Sequence, residues 1–139
     1  MREAIEVVAA LLWKEGRLLI CQRSRNAAFP GQWEFPGGKR EASETPAEAL
    51  VRELAEELGI RARIGRRLDR IEHHYPEGPR VHLLLYEVLG YDGEVANRVF
   101  EQIRWVLPEE LAQFDFLEAD RPWIERLVHS QPWPQEEIS

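Results

Sequence analysis

Glu53, Glu56 and Glu57 stand within one short run of the stretch FPGGKREASETPAEALVRELAEELGI (35–60), which has no lysine beyond residue 39. Three carboxylates on little more than one helical turn either coat a solvated face or hold a hard cation. Glu53 and Glu57 are an i,i+4 like-charge pair, which costs about a few tenths of a kcal/mol in a helix. Arg52 is the only basic residue in the helical run. Being adjacent in sequence, it is not expected to face them. A divalent cation would remove the repulsion: Mg²⁺ takes oxygen from one or two carboxylates and shares its other positions with water and substrate phosphate.

A helix must hold these groups, and its ends are readable. Thr45-Pro46-Ala47-Glu48 supplies an N-cap, a first-turn proline and a capping-box glutamate, and Gly59 sits where a C-terminal cap belongs. The pattern predicts a helix over about 46–58. At about 100° per residue, Leu50, Val51, Leu54 and Leu58 form its apolar stripe, Glu53 and Glu57 flank the stripe, and Glu56 lies a step further round. Before it, Gly37-Gly38 follow the strand-like WEF, so the backbone there is able to approach a ligand without a Cβ in the way.

The remaining elements form a scaffold for that turn. IEVVAALLW and RLLICQR read as strands joined by KEG, with Gly16 in the turn. LDRIEHHY and VHLLLYEVL read as a second pair across PEGPR, and QIRWV as a further strand. EADRPWIERLVHS reads as a second helix, with Asp120 near its start and an expected role as its N-cap. Strands interleaved with two helices imply an α/β or α+β layered domain. We expect one domain over 1–130 and a fraying polar tail over 131–139.

Composition narrows the classes. The chain has 139 residues, 44% hydrophobic, enough for one core. The longest apolar run, Val7 to Trp13, is far short of the roughly 18 residues a membrane span needs, and MREAIEVV has no signal-peptide pattern. A cytoplasmic protein with no membrane partner is the expectation. The net charge of −7 argues against a nucleic-acid polymer as partner. If phosphate is bound, a metal ion or a few placed cations must bring it in. The single cysteine, Cys21, lies in apolar LLICQ and reads as a buried, inert thiol. The four histidines lack zinc-site spacing.

The acidic run has one further property. Gly38, five residues, Glu44, seven, Arg52-Glu53-Leu54, one, Glu56-Glu57, one, Gly59-Ile60 matches the Nudix box at every defined position. The chain resembles the Nudix hydrolases, and within them the MutT-like nucleoside triphosphate pyrophosphohydrolases; QR at 22–23, WEFPGGK at 33–39 and EADRPWI at 118–124 extend the likeness. The resemblance implies a Nudix α/β/α sandwich with a mixed β-sheet between helices. It implies Mg²⁺, or Mn²⁺ in its place, on Glu53, Glu56 and Glu57 with a Gly37 or Gly38 carbonyl. Glu44 would be supportive, Arg52 would orient a neighbouring carboxylate, and Glu53 is the expected general base. The usual fourth metal-binding glutamate corresponds to Val99, so Glu101, two residues on, is the candidate replacement.

For the substrate, the resemblance implies that Arg23 contacts the nucleotide, Phe35 packs near the base, Lys39 reaches a phosphate, Tyr75 and Arg80 surround the base, and Asp120 hydrogen-bonds it. The expected reaction is attack of water on the β-phosphorus of a nucleoside triphosphate, giving monophosphate and pyrophosphate. The first expected substrate is 8-oxo-dGTP, a role in sanitising the nucleotide pool and protecting DNA. A CTP-type or 5-methyl-dCTP-type pyrimidine substrate is the alternative, since a MutT relative of that preference shares the aspartate and the IEVVAA start. A third reading is a nucleotide sensor without catalysis, although such members usually lose box carboxylates. Monomer and homodimer both remain open.

Overall fold

The computed structural model describes residues 4–134. Its elements run β1 (Ile5–Leu11), β2 (Trp13–Lys14), β3 (Arg17–Gln22), β4 (Trp33–Glu34), β5 (Gly37–Lys39), α1 (Pro46–Leu58), β6 (Arg61–His74), β7 (Arg80–Asp92), β8 (Gln102–Val106) and α2 (Arg121–Val128). Short 3₁₀ turns at Pro108–Gln113 and Glu118–Asp120 lead into α2. Strand side chains alternate between faces, and β1 uses both. Ala9 and Leu11 enter a core completed by Trp123, Ile124 and Leu127 of α2. Val8, Ala10 and Leu12 enter another, completed by Ala49, Leu50, Leu54 and Leu58 of α1. The strands are therefore the middle layer of an α/β/α sandwich.

That middle layer is two sheets rather than the single sheet expected. One is mixed, in order β5-β1-β7-β6, with β1 parallel to β7 and the other pairings antiparallel. The other is antiparallel, with β3 flanked by β4 and β8 and β2 pairing β3. The apolar run IEVVAALLW is split because Leu12 is buried between the two sheets and its carbonyl accepts from Leu19 N–H. Hence the KEG turn joins β2 to β3, with Trp13 opposite Leu18.

Helix α1 has the predicted bounds. Thr45 accepts from Glu48 N–H while the Glu48 carboxylate accepts from Thr45 N–H, so the capping box closes. Val51 is only partly buried, and Ala49 takes its expected place in the stripe. At the far end Gly59 is left-handed, with φ of 71°. The last turn of α1 has no basic residue, and its carbonyls are met from the loop before β8: Ala96 N–H donates to Leu58 O, Arg98 N–H to Glu57 O, and the Arg98 guanidinium to Ala55 O. A cation at a helix C-terminus also complements its dipole.

Two expectations near α2 are corrected. Asp120 occupies the N-cap position but has helical φ and ψ of −85° and −12° and makes no side-chain cap bond. The tail does not fray at once, because Gln131 N–H donates to Arg126 O and Trp133 packs against the α2 core. Residues 135–139 of that tail lie outside the described residues.

Gly59→Ala should cost about 1 kcal/mol or more, from the left-handed backbone and from a Cβ that would lie 2.8 Å from the Arg98 guanidinium. Thermal unfolding checks this, with a Tm drop of about 3 °C or more expected and an unchanged Tm refuting it.

Candidate active site

The acidic turn of α1 faces β5, and the two glycines of β5 set how close they come. A Cβ on Gly37 would lie 1.9 Å from the Val8 carbonyl oxygen, so only hydrogen fits against β1. A Cβ on Gly38 would lie 2.5 Å from the Glu53 carboxyl, so only hydrogen fits against α1. Gly37 N–H then donates to Glu57 Oε1 at 3.1 Å. Local sequence thus brings backbone and carboxylates together by omitting side chains.

Arg52 corrects the expectation that the glutamates have no basic partner. Its Nε and Nη2 donate to the two Glu44 oxygens at 2.6 and 3.0 Å, Nη2 also to Lys39 O at 3.1 Å, and Nη1 to Glu53 Oε1 at 2.9 Å. Nη1 also reaches Glu56 at 3.3 Å, an i,i+4 ion pair. A guanidinium is a planar fork on a long stem, so it reaches past its own Cα direction. The Arg52 hydrogen bond holds Glu44 below the usual carboxylate range, and Arg52 is itself held charged.

Glu57 is different. Burial first, then the nearby Glu53 charge, push its pKa up to about 9. Burial also raises Glu53, against the pull of Arg52. The two carboxyls hydrogen-bond each other. Burial and mutual repulsion disfavour the charged forms of both carboxyls, and a hard divalent cation would supply the missing positive charge, so this donor set fits such an ion. Among the described residues no three Asp, Glu, His or Cys side chains close around one point. One or two carboxylates with the rest from water and phosphate is the Mg²⁺ pattern.

The acid pair opens onto a cavity of about 520 Å³, lined by Arg23, Phe35, Gly37, Gly38, Lys39, Glu57, Tyr75 and Asp120 together with Phe29 and Glu34. Eight predicted residues therefore meet in one place. Glu53 touches that cavity's wall through Gly38 and Glu57, and Glu56 is exposed beyond Arg52. Arg80 and Glu101 are not brought to it. Arg80 pairs with Glu72 at 3.5 Å, and Glu101 is exposed with its N–H donating to Gln22 O at 2.9 Å.

On the same cavity as Glu57, Asp120 is 3% exposed. Burial, then the Glu34 charge, push its pKa up to about 8, although the Phe35 N–H bonds it. Glu34 is raised by burial and restrained by Arg23, whose Nη1 donates to both its oxygens at 3.0 Å. Sequence reasoning missed Glu34 and Phe29. The signals were a charge between buried Trp33 and Phe35, and an aromatic in a polar loop.

A layered α/β/α fold with paired carboxyls at a Gly-Gly strand, beside a cavity of about 520 Å³, fits a hydrolase of phosphoanhydride bonds. The sequence matches the NUDIX domain over residues 3–127. The chain belongs to the Nudix family and is a pyrophosphohydrolase of phosphoanhydride bonds. It is 39% identical over 126 residues to a CTP pyrophosphohydrolase of Escherichia coli, covering 89% of this chain and 91% of that one. It is 34% identical over 129 residues to an 8-oxo-dGTP diphosphatase of Haemophilus influenzae, covering 92% and 94%. The solution structure of the E. coli ORF135 protein superposes with a TM-score of 0.81 at 36% identity, over 91% of this chain and 90% of that one. No helix among the described residues is long and apolar enough to cross a membrane.

The glycines separate stability from activity. Gly37→Ala meets backbone and should cost about 1–3 kcal/mol or more. Gly38→Ala meets the end of a flexible side chain, so Tm should stay within about 2 °C while kcat falls at least about tenfold. Equal losses of Tm in the two variants would refute the distinction.

Asp120 makes a pH prediction. Its folded pKa of about 8 lies above the ordinary value of 3.8. Between those values the folded state holds a proton that the unfolded state has released, so this group's contribution to stability is greatest below about pH 4 and falls as pH rises to about 8, by at most about 1.4 kcal/mol per unit. Asp120→Asn should therefore gain Tm relative to wild type between pH 5 and 8. A constant Tm difference across that range would refute the buried, proton-holding state.

Proposed function

We propose that the chain hydrolyses nucleoside triphosphates to monophosphate and pyrophosphate with a divalent cation, and that 8-oxo-dGTP is its substrate. The observation that carries this reading is one cavity lined both by Glu57, of the Glu53–Glu57 pair, and by buried, proton-holding Asp120. A neutral carboxylic acid donates and accepts at once. It therefore complements a base edge that places a donor beside an acceptor, as the oxidised purine does at its N7–H and O6. Cytosine also offers such an edge at N4 and N3. The 39% identity to a CTP pyrophosphohydrolase favours the pyrimidine as the second reading.

Glu53 and Glu57, with a Gly37 or Gly38 carbonyl, would hold Mg²⁺ or Mn²⁺, with Glu56 exposed beside them on Arg52, and that ion would supply charge neutralisation for the phosphoryl oxygens. Glu53, oriented by Arg52, takes the proton of the attacking water. The water oxygen bonds to the β-phosphorus as the bond from that phosphorus to the α–β bridging oxygen breaks, and the bridging oxygen leaves with the monophosphate. Lys39 meets the phosphates at the cavity rim, Arg23 fixes Glu34 beside the base, and Phe35 packs under it. Arg80 and Glu101 have no role in this reading. Cytoplasmic pool sanitation is the corresponding role.

The test is kcat/KM with Mg²⁺ over 8-oxo-dGTP, dGTP, CTP and 5-methyl-dCTP, for wild type and Glu53→Gln. A preference of about 100-fold for 8-oxo-dGTP, about 2.7 kcal/mol of discrimination, supports the first reading, and a CTP preference transfers the function to the second. Glu53→Gln should lose about 10²–10⁴ in kcat with unchanged Tm. Near wild-type turnover would remove Glu53 as base.

A further inference from the structure

We propose that Phe29 is a nucleotide-binding residue that closes with Tyr75 over the base end of the cavity and stacks on the base of the nucleotide. This rests on the nucleoside triphosphate reading and assigns a residue that the Nudix box does not contain. Phe29 lines the cavity while 49% of it is exposed, so a large apolar ring stands at the mouth in water. Its backbone is left-handed, with φ of 50°, which is unfavourable for a residue with a Cβ. An outlier of that kind persists only where its surroundings over-determine it, and it is concentrated at ligand clamps.

The surroundings do so here. The loop 23–32 is tied across its base by Gly31 N–H to Arg23 O at 3.0 Å and by Gln22 Nε2 to Gly31 O at 3.0 Å. Arg23 Nε donates to Ala28 O at 2.5 Å, immediately before Phe29. The side chain that fixes Glu34 at the base end therefore also fixes the loop above it. Across the mouth, the Phe29 and Tyr75 ring centroids lie 5.5 Å apart with planes tilted by 30°. Tyr75 is braced behind by the His73 ring, edge-on at 4.5 Å. Two loops far apart in sequence thus meet through aromatic faces above a cavity.

Aromatic faces stack any base, so the clasp supplies base affinity and water exclusion, and the choice among bases stays with the polar groups beneath. Phe29 lies outside the box that carries the acid pair. Removing Phe29 should raise KM at least tenfold for the best nucleoside triphosphate and leave kcat within about twofold.

The experiment measures turnover and, by calorimetry, binding of the matching nucleoside monophosphate and of ribose 5-phosphate to wild type, Phe29→Ala, Phe29→Trp, Tyr75→Ala and the double alanine variant. Phe29→Ala should weaken the monophosphate at least tenfold and ribose 5-phosphate not at all, Phe29→Trp should restore binding, and the double variant should lose little more than either single one. Equal weakening of both ligands, weakening of neither, or additive losses would overturn the clasp. Phe29→Gly relieves the backbone and should match the alanine variant in binding while exceeding it in Tm; recovered binding would also overturn it. Should wild type turn over no nucleoside triphosphate and Phe29→Ala still lose the monophosphate alone, the catalytic reading fails and the clasp stands.

Discussion

The arrangement depends on one guanidinium. Arg52 ties Glu44, Glu53, Glu56 and the Lys39 carbonyl into a single network. Without it, Glu53, Glu56 and Glu57 would repel one another on a helix with no other basic residue, and the Lys39 carbonyl would lose its bond to α1. The network leaves Glu57 out. Glu57 is instead seated on the Gly37 N–H against Glu53, where burial and repulsion outweigh that one hydrogen bond. Arg52 thus divides the cluster into glutamates that it satisfies and one, Glu57, that it does not. Glu57 borders the cavity.

The same division recurs at the base end. Arg23 bonds Glu34 directly and reaches Asp120 only through its charge, so that Asp120 has the Phe35 N–H and that charge against its burial. A fully ion-paired carboxylate accepts hydrogen bonds only, whereas one kept neutral by burial also donates. Both ends therefore follow one rule, in which an arginine quiets one carboxylate and burial poises its neighbour. Groups poised in this way mark functional sites more often than structural ones.

What was legible in the sequence was local. Thr45, Glu48 and Gly59 fix the ends of α1 through bonds made within a few residues, so its bounds could be read directly. The stripe of leucines follows from helical period alone, and the box spacing carried the family. What was not legible was set by tertiary reach. Arg52 was judged by its adjacency to Glu53, and its long stem and its i,i+4 relation to Glu56 decide its partners instead. The break at Leu12 is invisible in an unbroken apolar run, because it depends on which sheet each half pairs with. Asp120 reads as a cap, and the nearby Phe35 N–H, from a distant segment, claims its carboxylate. Arg80 stands at a suggestive position, yet it lies on β7 opposite His74 and is drawn to Glu72.

One short segment joins the two ends. Trp33-Glu34-Phe35-Pro36-Gly37-Gly38 carries the Arg23 partner, the Asp120 donor and both glycines of the acid pair. From Glu34 to Gly38 the backbone spans at most about 14 Å, which bounds the separation of the Phe35 and Gly37 N–H groups that hold Asp120 and Glu57. Its path is held on both sides, since Trp33 N–H donates to Asp115 O, Ala10 N–H donates to Pro36 O, and β5 pairs with β1. A buried strand held in this way cannot lengthen to suit a different ligand. Discrimination must then come from the polar groups set along a fixed ruler, Asp120 and Glu34, while the aromatic loops above them supply affinity.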